Sequence, residues 1–308
     1  MNTKKRGNKD IIIDVAADVA TIRDGDGILT MILNPYSTLP PNGIPTEAWM
    51  LHDLLLIEFT RTGVRDDYLL KTSLEKYMSL KELKNKNHTY EQINKYFKFL
   101  QTIKIKYDPK NGILIKNLPS IRYGEISLYG GTCGISNKKI WFRINPDYYK
   151  LFSKFSIIPY CLDIFKIKTD KFPHAYYIMK RLQEHSYMNR GKSNKNRISI
   201  KTLIKTNPYM PNYEDIKHKG QIYQRIKKPM IANIKELKRL GILKEYTYYY
   251  CKDIPLPNEE LGLSSSYSED WGAEFSKTKT QNNKNTEKTF LDSTLYFEMA
   301  DYPSFKTK

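Results

Sequence analysis

Apolar residues recur at helical spacing in the stretch from Gln221 to Leu240. They define one stripe along a helix, formed by Ile222, Ile226, Met230, Ile234, Leu237 and Leu240. Gly241 predicts the end of this helix, because glycine readily takes the left-handed conformation that follows a helix terminus. The aromatic and β-branched residues of 242–250 then predict a strand. Pro229 lies inside the helix and predicts a bend over the core, since proline has no N–H to donate.

The first half of the chain has a comparable pattern. Helical periodicity and capping signals predict helices over 46–59, 72–80 and 88–101. Alternating residues in 103–107, an Asn-Gly turn and the apolar run 113–116 predict a β-hairpin directly after the third helix. A second hairpin is expected from 121–128 and 139–144, followed by a helix that starts after Pro146.

The second half repeats this plan at the level of architecture. A helix is predicted over 172–189, a basic turn over 190–197 and a short helix over 199–204, ahead of the helix and strand described first. The order helix, turn, helix, strand is typical of a winged helix. We therefore predict an α+β fold with two tandem winged-helix domains that carry β-hairpin wings, plus a disordered C-terminal tail.

These patterns give the predicted domain boundaries. Residues 1–10 form a basic arm, 11–155 the N-terminal winged-helix domain, 156–257 the C-terminal DNA-binding winged-helix domain, and 258–308 the tail. The tail is rich in Ser, Thr, Asn and Lys and has little to bury, which predicts disorder. The segment 290–297 is an apolar island in it, which we interpret as a chance feature or, alternatively, a short docking motif.

The charge of the chain narrows the class of partner. The formal net charge is +18, which favours a polyanion: nucleic acid first, an anionic membrane surface second. Residues 171–253 hold 19 Lys and Arg against 6 Asp and Glu, whereas 256–308 hold 6 Lys against 9 acids. The positive charge therefore belongs to the folded part. No apolar run is long enough for a membrane helix or a signal core, so we expect a cytoplasmic protein without a membrane partner.

The other face of the first helix supplies candidate DNA contacts. Gln221, Gln224 and Arg225 suit base edges in the major groove, because Gln pairs with adenine and Arg with guanine. Lys217, Lys219 and Lys228 suit phosphates. The remaining candidates in the second domain are Arg190, Lys192, Lys195, Arg197, Lys201 and Lys244, and a secondary set in the first domain comprises Lys84, Lys86, Gln92 and Lys95. The alternative is a solvated basic face that contacts nothing.

Catalytic chemistry has little support in the sequence. The five histidines never occur as His-x-His, no carboxylates have metal-ligand spacing, and three separated cysteines form no zinc motif. Residues 189–193 end in Gly-Lys-Ser, but Ser186 stands where a phosphate-binding loop needs its first glycine. We therefore expect no enzyme activity, no metal and no cofactor. The tyrosines of 246–250 are expected to be half-buried strand residues rather than stacking platforms.

Several segments together resemble replication initiator proteins of plasmids and integrative elements in Gram-positive bacteria. They are Thr72–Leu80, Tyr90–Tyr107, Phe172–Tyr177, Lys201–Leu203, Pro211–Glu214 and Gln224–Leu243. The resemblance spans roughly residues 70 to 250. It implies two winged-helix domains, binding to repeated origin sites in double-stranded DNA and recruitment of host replication proteins. It also implies that the second domain makes the main DNA contacts and that the first can serve a homodimer.

Three alternatives stay open at this level. A winged-helix transcriptional regulator would share the fold, since the sequence does not separate an origin from an operator. A DNA-nicking initiator belongs to another class and needs catalytic residues that the sequence does not display. A partner-binding module would use the positive face to contact an acidic protein.

Overall fold

The computed structural model describes residues 10–14, 19–24, 27–33, 45–62, 67–109, 125–131, 133–152, 161–207, 209–211, 221–250, 254–256 and 290–300. The chain divides into two compact units, Met1–Ile157 and Ile158–Lys308. This division lies two residues after the boundary predicted between 155 and 156. The predicted basic arm lies outside the described residues except for Asp10. Each unit is a mixture of helices and small antiparallel sheets.

The first unit contains a five-stranded antiparallel sheet. Its strands are β1 (Asp10–Asp14), β2 (Val19–Asp24), β3 (Gly27–Leu33), β5 (Ile103–Pro109) and β6 (Glu125–Ser127), in the spatial order β1-β2-β3-β5-β6. Strand β5, the fourth in this order, is the predicted strand that follows the third helix. Its partners come from far away in the chain, because Ile105 lies opposite Met31 on one side and Ile126 on the other.

The pairing of β5 with β3 and β6 conflicts with the β-hairpin wing predicted for the first unit. The return strand expected at 113–116 lies outside the described residues. However, β5 has no free edge from Lys104 to Lys106, since β3 and β6 occupy both sides there. A strand can pair along two edges only. The hairpin predicted from the Asn-Gly turn is therefore not formed along this part of β5, and sequence patterning missed its distant partners.

Helices and a three-stranded sheet complete the first unit. The elements are α1 (Thr46–Thr62), β4 (Leu69–Ser73), α2 (Leu74–Leu80), α3 (Lys86–Gln101), β7 (Gly134–Ser136), β8 (Lys139–Arg143) and α4 (Pro146–Phe152). The sheet order is β4-β8-β7. The predicted hairpin between 121–128 and 139–144 is wrong apart from a single bridge, Tyr129 to Ile144, because β8 pairs instead with β4 and β7.

The second unit has helices against a four-stranded antiparallel sheet. A 3-10 helix (Leu162–Lys166) precedes α5 (Ala175–Met188), β9 (Arg197–Ser199), α6 (Ile200–Lys205), a π-helical turn (Tyr223–Lys227), α7 (Lys228–Arg239), β10 (Leu243–Tyr250), β11 (Ile254–Pro255) and β12 (Thr294–Met299). The sheet order is β11-β10-β12-β9. The predicted helices and the predicted strand of this half are present.

One junction is built in the same way in both units. In each, a short strand runs directly into a short helix through a serine that caps the helix. Ser73 Oγ accepts a hydrogen bond from the Lys76 backbone N–H at 3.0 Å, and Ser199 Oγ accepts from Thr202 N–H at 3.2 Å. Such caps satisfy backbone donors that the first helical turn leaves unpaired. The predicted capping box has its cap one residue later than expected, at Ser73 instead of Thr72.

The predicted end of the long helix is confirmed at Gly241. This residue has φ +71°, its N–H donates to Lys238 O at 2.9 Å, and Ile242 N–H donates to Leu237 O at 2.9 Å. Leu237 and Ile242 are fully buried. The two hydrogen bonds, together with the burial of Leu237 and Ile242, define a Schellman motif. This motif satisfies the last carbonyls of the helix, and the chain then continues into β10.

The start of the long helix differs from the predicted regular helix. Tyr223–Lys227 is a π-helical turn, in which Lys228 N–H donates to Tyr223 O, five residues back. The apolar positions from Ile222 to Ile234 are each four residues apart, which is wider than the 3.6-residue repeat of an α-helix. A locally wider turn keeps them on one face. The turn is followed directly by Pro229, which has no N–H, so the series of helical hydrogen bonds lacks one donor there.

The predicted disorder of the tail is wrong for residues 290–300. Strand β12 lies between β10 and β9, with Tyr296 opposite Thr247 on one side and Arg197 on the other. Leu295 and Phe297 are fully buried, as is Phe290. The apolar island is therefore part of the core of the second unit, because alternating side chains of β12 point into it. The remaining residues of the predicted tail beyond 256 lie outside the described residues.

This position of β12 predicts a large effect of a mutation near the C-terminus. Phe297→Ala removes a fully buried ring, so we expect a loss of about 3–5 kcal/mol in the free energy of unfolding of the second unit. Urea titration followed by circular dichroism measures this loss. Glu298→Gln, on the same strand and partly exposed, is the control, with an expected change below about 0.5 kcal/mol. Equal stabilities of Phe297→Ala and the unchanged chain would contradict the assigned place of β12.

Candidate nucleic-acid interface

Four predicted DNA-contacting residues share the exposed side of the π-helical turn. Gln221, Gln224, Arg225 and Lys228 are exposed. Arg225 Nη1 donates to Gln221 Oε1 at 3.5 Å, a weak contact between residues four apart in the chain. On the opposite side Ile222, Ile226 and Met230 are buried. The turn is thus anchored by apolar side chains and presents amide and guanidinium donors to solvent, and we refer to these four residues as the helix face.

Two more predicted contacts belong to the chain just before this turn. Lys217 and Lys219 fall in 212–220, outside the described residues. Their assignment to phosphates stays a prediction. Lys235, on the second half of the helix beyond Pro229, is exposed as well. Exposed positive charge therefore continues along α7, whereas the side chains predicted to contact base edges, Gln221, Gln224 and Arg225, all belong to the helix face.

A second group of predicted contacts lies in the turn between α5 and β9. Arg190, Lys192 and Lys195 are exposed, and neither Arg190 nor Lys195 pairs with a carboxylate in the part of the chain that the structure describes. Gly191 has φ +81°, the left-handed conformation that glycine adopts without strain. Lys195 precedes β9 and Lys201 follows it. The structure therefore places this basic turn and α6 at opposite ends of one strand, and not in one cluster.

The three remaining predicted contacts in this unit have partners within it. Lys201 Nζ forms an ion pair with Asp292 at 2.5 Å, and Lys244 Nζ lies 3.8 Å from Glu298. The guanidinium of Arg197 lies over the ring of Tyr249 at 5.5 Å. Ion pairs between exposed side chains are weak. A phosphate could therefore replace Asp292 or Glu298 at a small cost in free energy.

The secondary set in the first unit lies around the start of α3. Lys84, Lys86 and Lys95 are exposed, and Gln92 is half-buried. Asn85 caps the helix by accepting a hydrogen bond from His88 N–H at 3.0 Å. The buried side of α3 is formed by Thr89, Ile93, Phe97 and Leu100. Its basic residues therefore lie on the side that faces solvent, as the helical pattern predicts.

Three tyrosines of β10, Tyr246, Tyr248 and Tyr249, are buried or half-buried, as expected. Tyr248 is almost fully buried, whereas Tyr246 and Tyr249 are half-buried. Burial raises the pKa of Tyr248 well above its ordinary value, and the neighbouring Tyr246 adds to this effect. The phenol rings of Tyr246 and Tyr248 meet edge to face at 5.9 Å. Packing of these rings accounts for their presence in the strand.

Sequence reasoning missed two charged residues that the second unit buries. Lys227 is 3% exposed, and its ammonium lies 5.8 Å from the ring centre of Tyr223 and 5.7 Å from that of Phe290. Glu236 is buried too, and its carboxylate receives two hydrogen bonds from Arg239 at 2.6 and 2.7 Å. The burial of Lys227 is indicated by its position next to the buried Ile226. The turn is wider than an α-helix, so Lys227 lies on its apolar side.

Two of the described histidines, His52 and His185, lie within hydrogen-bond distance of groups in their own unit. His52 is buried in the first unit, where its Nδ1 lies 2.9 Å from the hydroxyl oxygen of Tyr129. His185 Nε2 lies 3.0 Å from Asn194 O in the basic turn. His218 falls outside the described residues. Within the part of the chain that the structure describes, no three His, Cys, Asp or Glu residues are grouped in a way that could hold a metal ion.

His174 connects α5 to the second half of the long helix. Its backbone N–H donates to Asn233 Oδ1 at 3.1 Å, and Asn233 Nδ2 donates to Pro229 O at 2.6 Å. Burial lowers the pKa of the His174 imidazole below 6.5, and a hydrogen bond with Asn207 opposes this effect in part. The neutral imidazole is therefore the form that fits this position next to α7.

Searches for related proteins gave structural matches only. No family model matches the chain, and no curated protein matches it. A crystal structure of the Pi initiator protein in complex with iteron DNA matches with a TM-score of 0.44 and 11% identity, over 70% of this chain and 89% of that chain. A crystal structure of domains 2–3 of RctB matches with a TM-score of 0.44 and 10% identity, over 82% of this chain and 88% of that chain.

These similarities are too weak to establish a shared fold or function. What the structure itself defines is a two-unit α and β protein whose second unit exposes amide and basic side chains on a helix. The resemblance to initiators of Gram-positive elements stays a prediction. No described helix is long and apolar enough to cross a membrane.

The lowered pKa of His174 predicts a pH dependence of stability. Between its folded pKa and 6.5, the unfolded chain binds a proton that the folded chain does not bind. The stability that the neutral His174 imidazole contributes is therefore complete above pH 6.5, and it is lost as the pH falls below this value. Urea unfolding from pH 8 to pH 5 should give a slope at most about 1.4 kcal/mol per pH unit steeper for the unchanged chain than for His174→Gln. Parallel slopes would show that His174 titrates normally.

Proposed function

We propose that this chain is a DNA-binding replication initiator of a plasmid or mobile element. It binds repeated origin sites in duplex DNA and recruits host replication proteins, and it acts by binding without catalysis. The observation that carries the proposal is the helix face: two glutamines, an arginine and a lysine exposed within eight residues, on a turn whose other side is buried. The excess of positive charge over 171–253 supports a polyanionic partner.

The element order supports a winged-helix domain in each unit. The first unit contains α1, β4, α2, α3 and β5 in this order, and the second contains α5, β9, α6, α7 and β10. In the second unit β12 lies between β9 and β10, and β10 continues into the antiparallel partner β11. We assign α7 with its π-helical turn as the recognition helix and the antiparallel pair β10–β11 as the wing.

The side chains of the helix face suit base recognition. A Gln side chain can donate to and accept from adenine, and an Arg guanidinium can donate twice to guanine in the major groove. Gln224 and Arg225 are the residues proposed for this role, and Lys228 is proposed to contact phosphate. Two such units on one chain would bind a longer site than one unit, as repeated origin sites require. The basic residues near α3 and a homodimer through the first unit belong to the same proposal.

Salt dependence separates a DNA contact from a merely solvated face. Footprinting over the DNA around the chain's own gene should first identify a bound site. On that duplex, Lys228→Ala should lower affinity and reduce the slope of log K against log salt by about 0.9, the value of one phosphate charge. Gln224→Ala should lose discrimination between cognate and random duplex, by about 1–3 kcal/mol, with an unchanged slope.

Lys235→Ala is the matched control. It removes one exposed positive charge from the same helix beyond Pro229, and it should change neither discrimination nor footprint. The DNA-binding proposal fails if the unchanged chain protects no duplex at low salt. It also fails if Gln224→Ala and Lys235→Ala have identical effects on cognate and random DNA, since the helix face would then act as unspecific charge.

Two further assays separate the proposed role from its alternatives. An initiator should allow a plasmid that carries its gene and the footprinted DNA to replicate, whereas a transcriptional regulator should bind that DNA without supporting replication. A nicking initiator would relax supercoiled plasmid in the presence of a divalent metal and leave a covalent protein–DNA adduct. The proposal expects replication support, and no adduct.

A further inference from the structure

The π-helical turn carries a buried cation between exposed residues. Gln224 and Arg225 precede Lys227 and Lys228 follows it, and these three neighbours are exposed. Lys227 itself is 3% exposed. Placing a charge inside a protein is unfavourable unless other groups stabilise it. We therefore expect the contacts of the Lys227 ammonium to help determine the position of the whole turn.

Two aromatic rings contact this ammonium. They belong to Tyr223, in the same turn, and to Phe290, which lies 63 positions after Lys227 in the chain; the distances from the ammonium to the ring centres are 5.8 and 5.7 Å. An ammonium within about 6 Å of a ring face is attracted by the ring, most strongly where water is excluded. The contact with Phe290 connects the turn to the C-terminal segment.

Phe290 is held in place by the rest of the second unit. Its ring is 1% exposed and lies 5.6 Å from the ring of Tyr248. Ser293 Oγ donates to Phe290 O at 2.5 Å, and Ser293 O accepts from the Ile200 backbone N–H at 3.1 Å. Phe290 to Ser293 therefore contacts α6, β10 and the π-helical turn at once.

The backbone alone determines the position of this turn less firmly than it would in an α-helix. Its hydrogen bonds span five residues, and Pro229, immediately beyond, has no N–H to donate. A side chain that joins the turn to a fixed ring can supply the missing constraint. Lys227 makes such a contact with Phe290 of the C-terminal segment.

We infer that Lys227 and Phe290 are positioning residues for the helix face. Their cation–π contact sets the orientation of Gln224 and Arg225, so that residues near the C-terminus control how the recognition helix meets DNA without contacting DNA themselves. This inference rests on the DNA-binding function proposed above. It assigns a role to the C-terminal segment that is separate from its contribution to the sheet.

The main variant is Lys227→Met, which keeps the apolar stem and removes the charge. We expect roughly tenfold weaker binding to the footprinted duplex, with an unchanged slope of log K against log salt, because a buried ammonium neutralises no phosphate. Lys227→Arg keeps a cation for the two rings and should restore affinity to within about twofold. Phe290→Leu keeps an apolar side chain without a ring and should have the effect of Lys227→Met.

Lys235→Met is the matched control, since it removes an exposed charge from the same helix. It should leave affinity for the footprinted duplex within about twofold of the unchanged chain. Loss of salt slope in Lys227→Met would show that Lys227 contacts phosphate directly and would overturn the inference. Unchanged affinity in both Lys227→Met and Phe290→Leu would overturn it as well.

Hydrogen exchange of the full chain, without DNA, tests the inference independently of the proposed function. The backbone amides of Tyr223–Lys228 should exchange faster in Lys227→Met and Phe290→Leu than in the unchanged chain, whereas those in the middle of α5 should not change. If the chain binds no DNA but this local effect is present, the proposed function fails and the structural part of the inference holds. Uniformly faster exchange throughout the second unit would indicate general destabilisation and contradict a positioning role.

Discussion

The second unit depends on the insertion of β12 between β9 and β10. Without this strand, β10 would lose the partner that runs along most of its length, and β9 would have no partner in the sheet. The pairing of Arg197 with Tyr296 joins residues about one hundred positions apart. Closing so long a loop costs conformational entropy that only the completed core can offset. The fold of the unit is therefore complete only when the C-terminal segment has docked.

The same segment also arranges the charges of the proposed interface. Asp292 and Glu298 lie beside Lys201 and Lys244, so these two lysines are neutralised within the unit. The helix face and the basic turn are two further groups of exposed polar and basic side chains in this unit. Under the proposed function, phosphates can compete with such exposed carboxylates, whereas base recognition would depend on where Gln224 and Arg225 point. The proposed specificity would therefore depend on the orientation of the helix.

Local signals in the sequence predicted most of the helices. Spacing of apolar residues defines the buried sides of α3, α5 and α7, and Gly241 predicts the helix end because the Schellman motif requires a left-handed residue. The exposure of Gln224 and Arg225 follows from the same periodicity. These features could be predicted because each depends on residues within about two helical turns.

The features that were missed depend on distant residues or on a local departure from α geometry. The partners of β5 come from β3 and β6, and no short-range pattern identifies them. The alternation of Leu295 and Phe297 was the signal for β12, but the polar composition around it concealed the strand. The spacing of four from Ile222 to Ile234, together with Pro229, was the signal for the π-helical turn. Burial of Lys227 follows from that turn and from Phe290, which explains why helical periodicity alone did not predict it.

Site-specific photo-crosslinking tests the central claim, that the helix face contacts DNA, most directly. A benzophenone amino acid would replace Gln224 in one protein and Lys235 in another, and each would be irradiated with the footprinted duplex. The account predicts a covalent adduct from position 224, mapped to bases within the protected site, and none from position 235. Adducts of equal yield from both positions, or from position 235 alone, would contradict it.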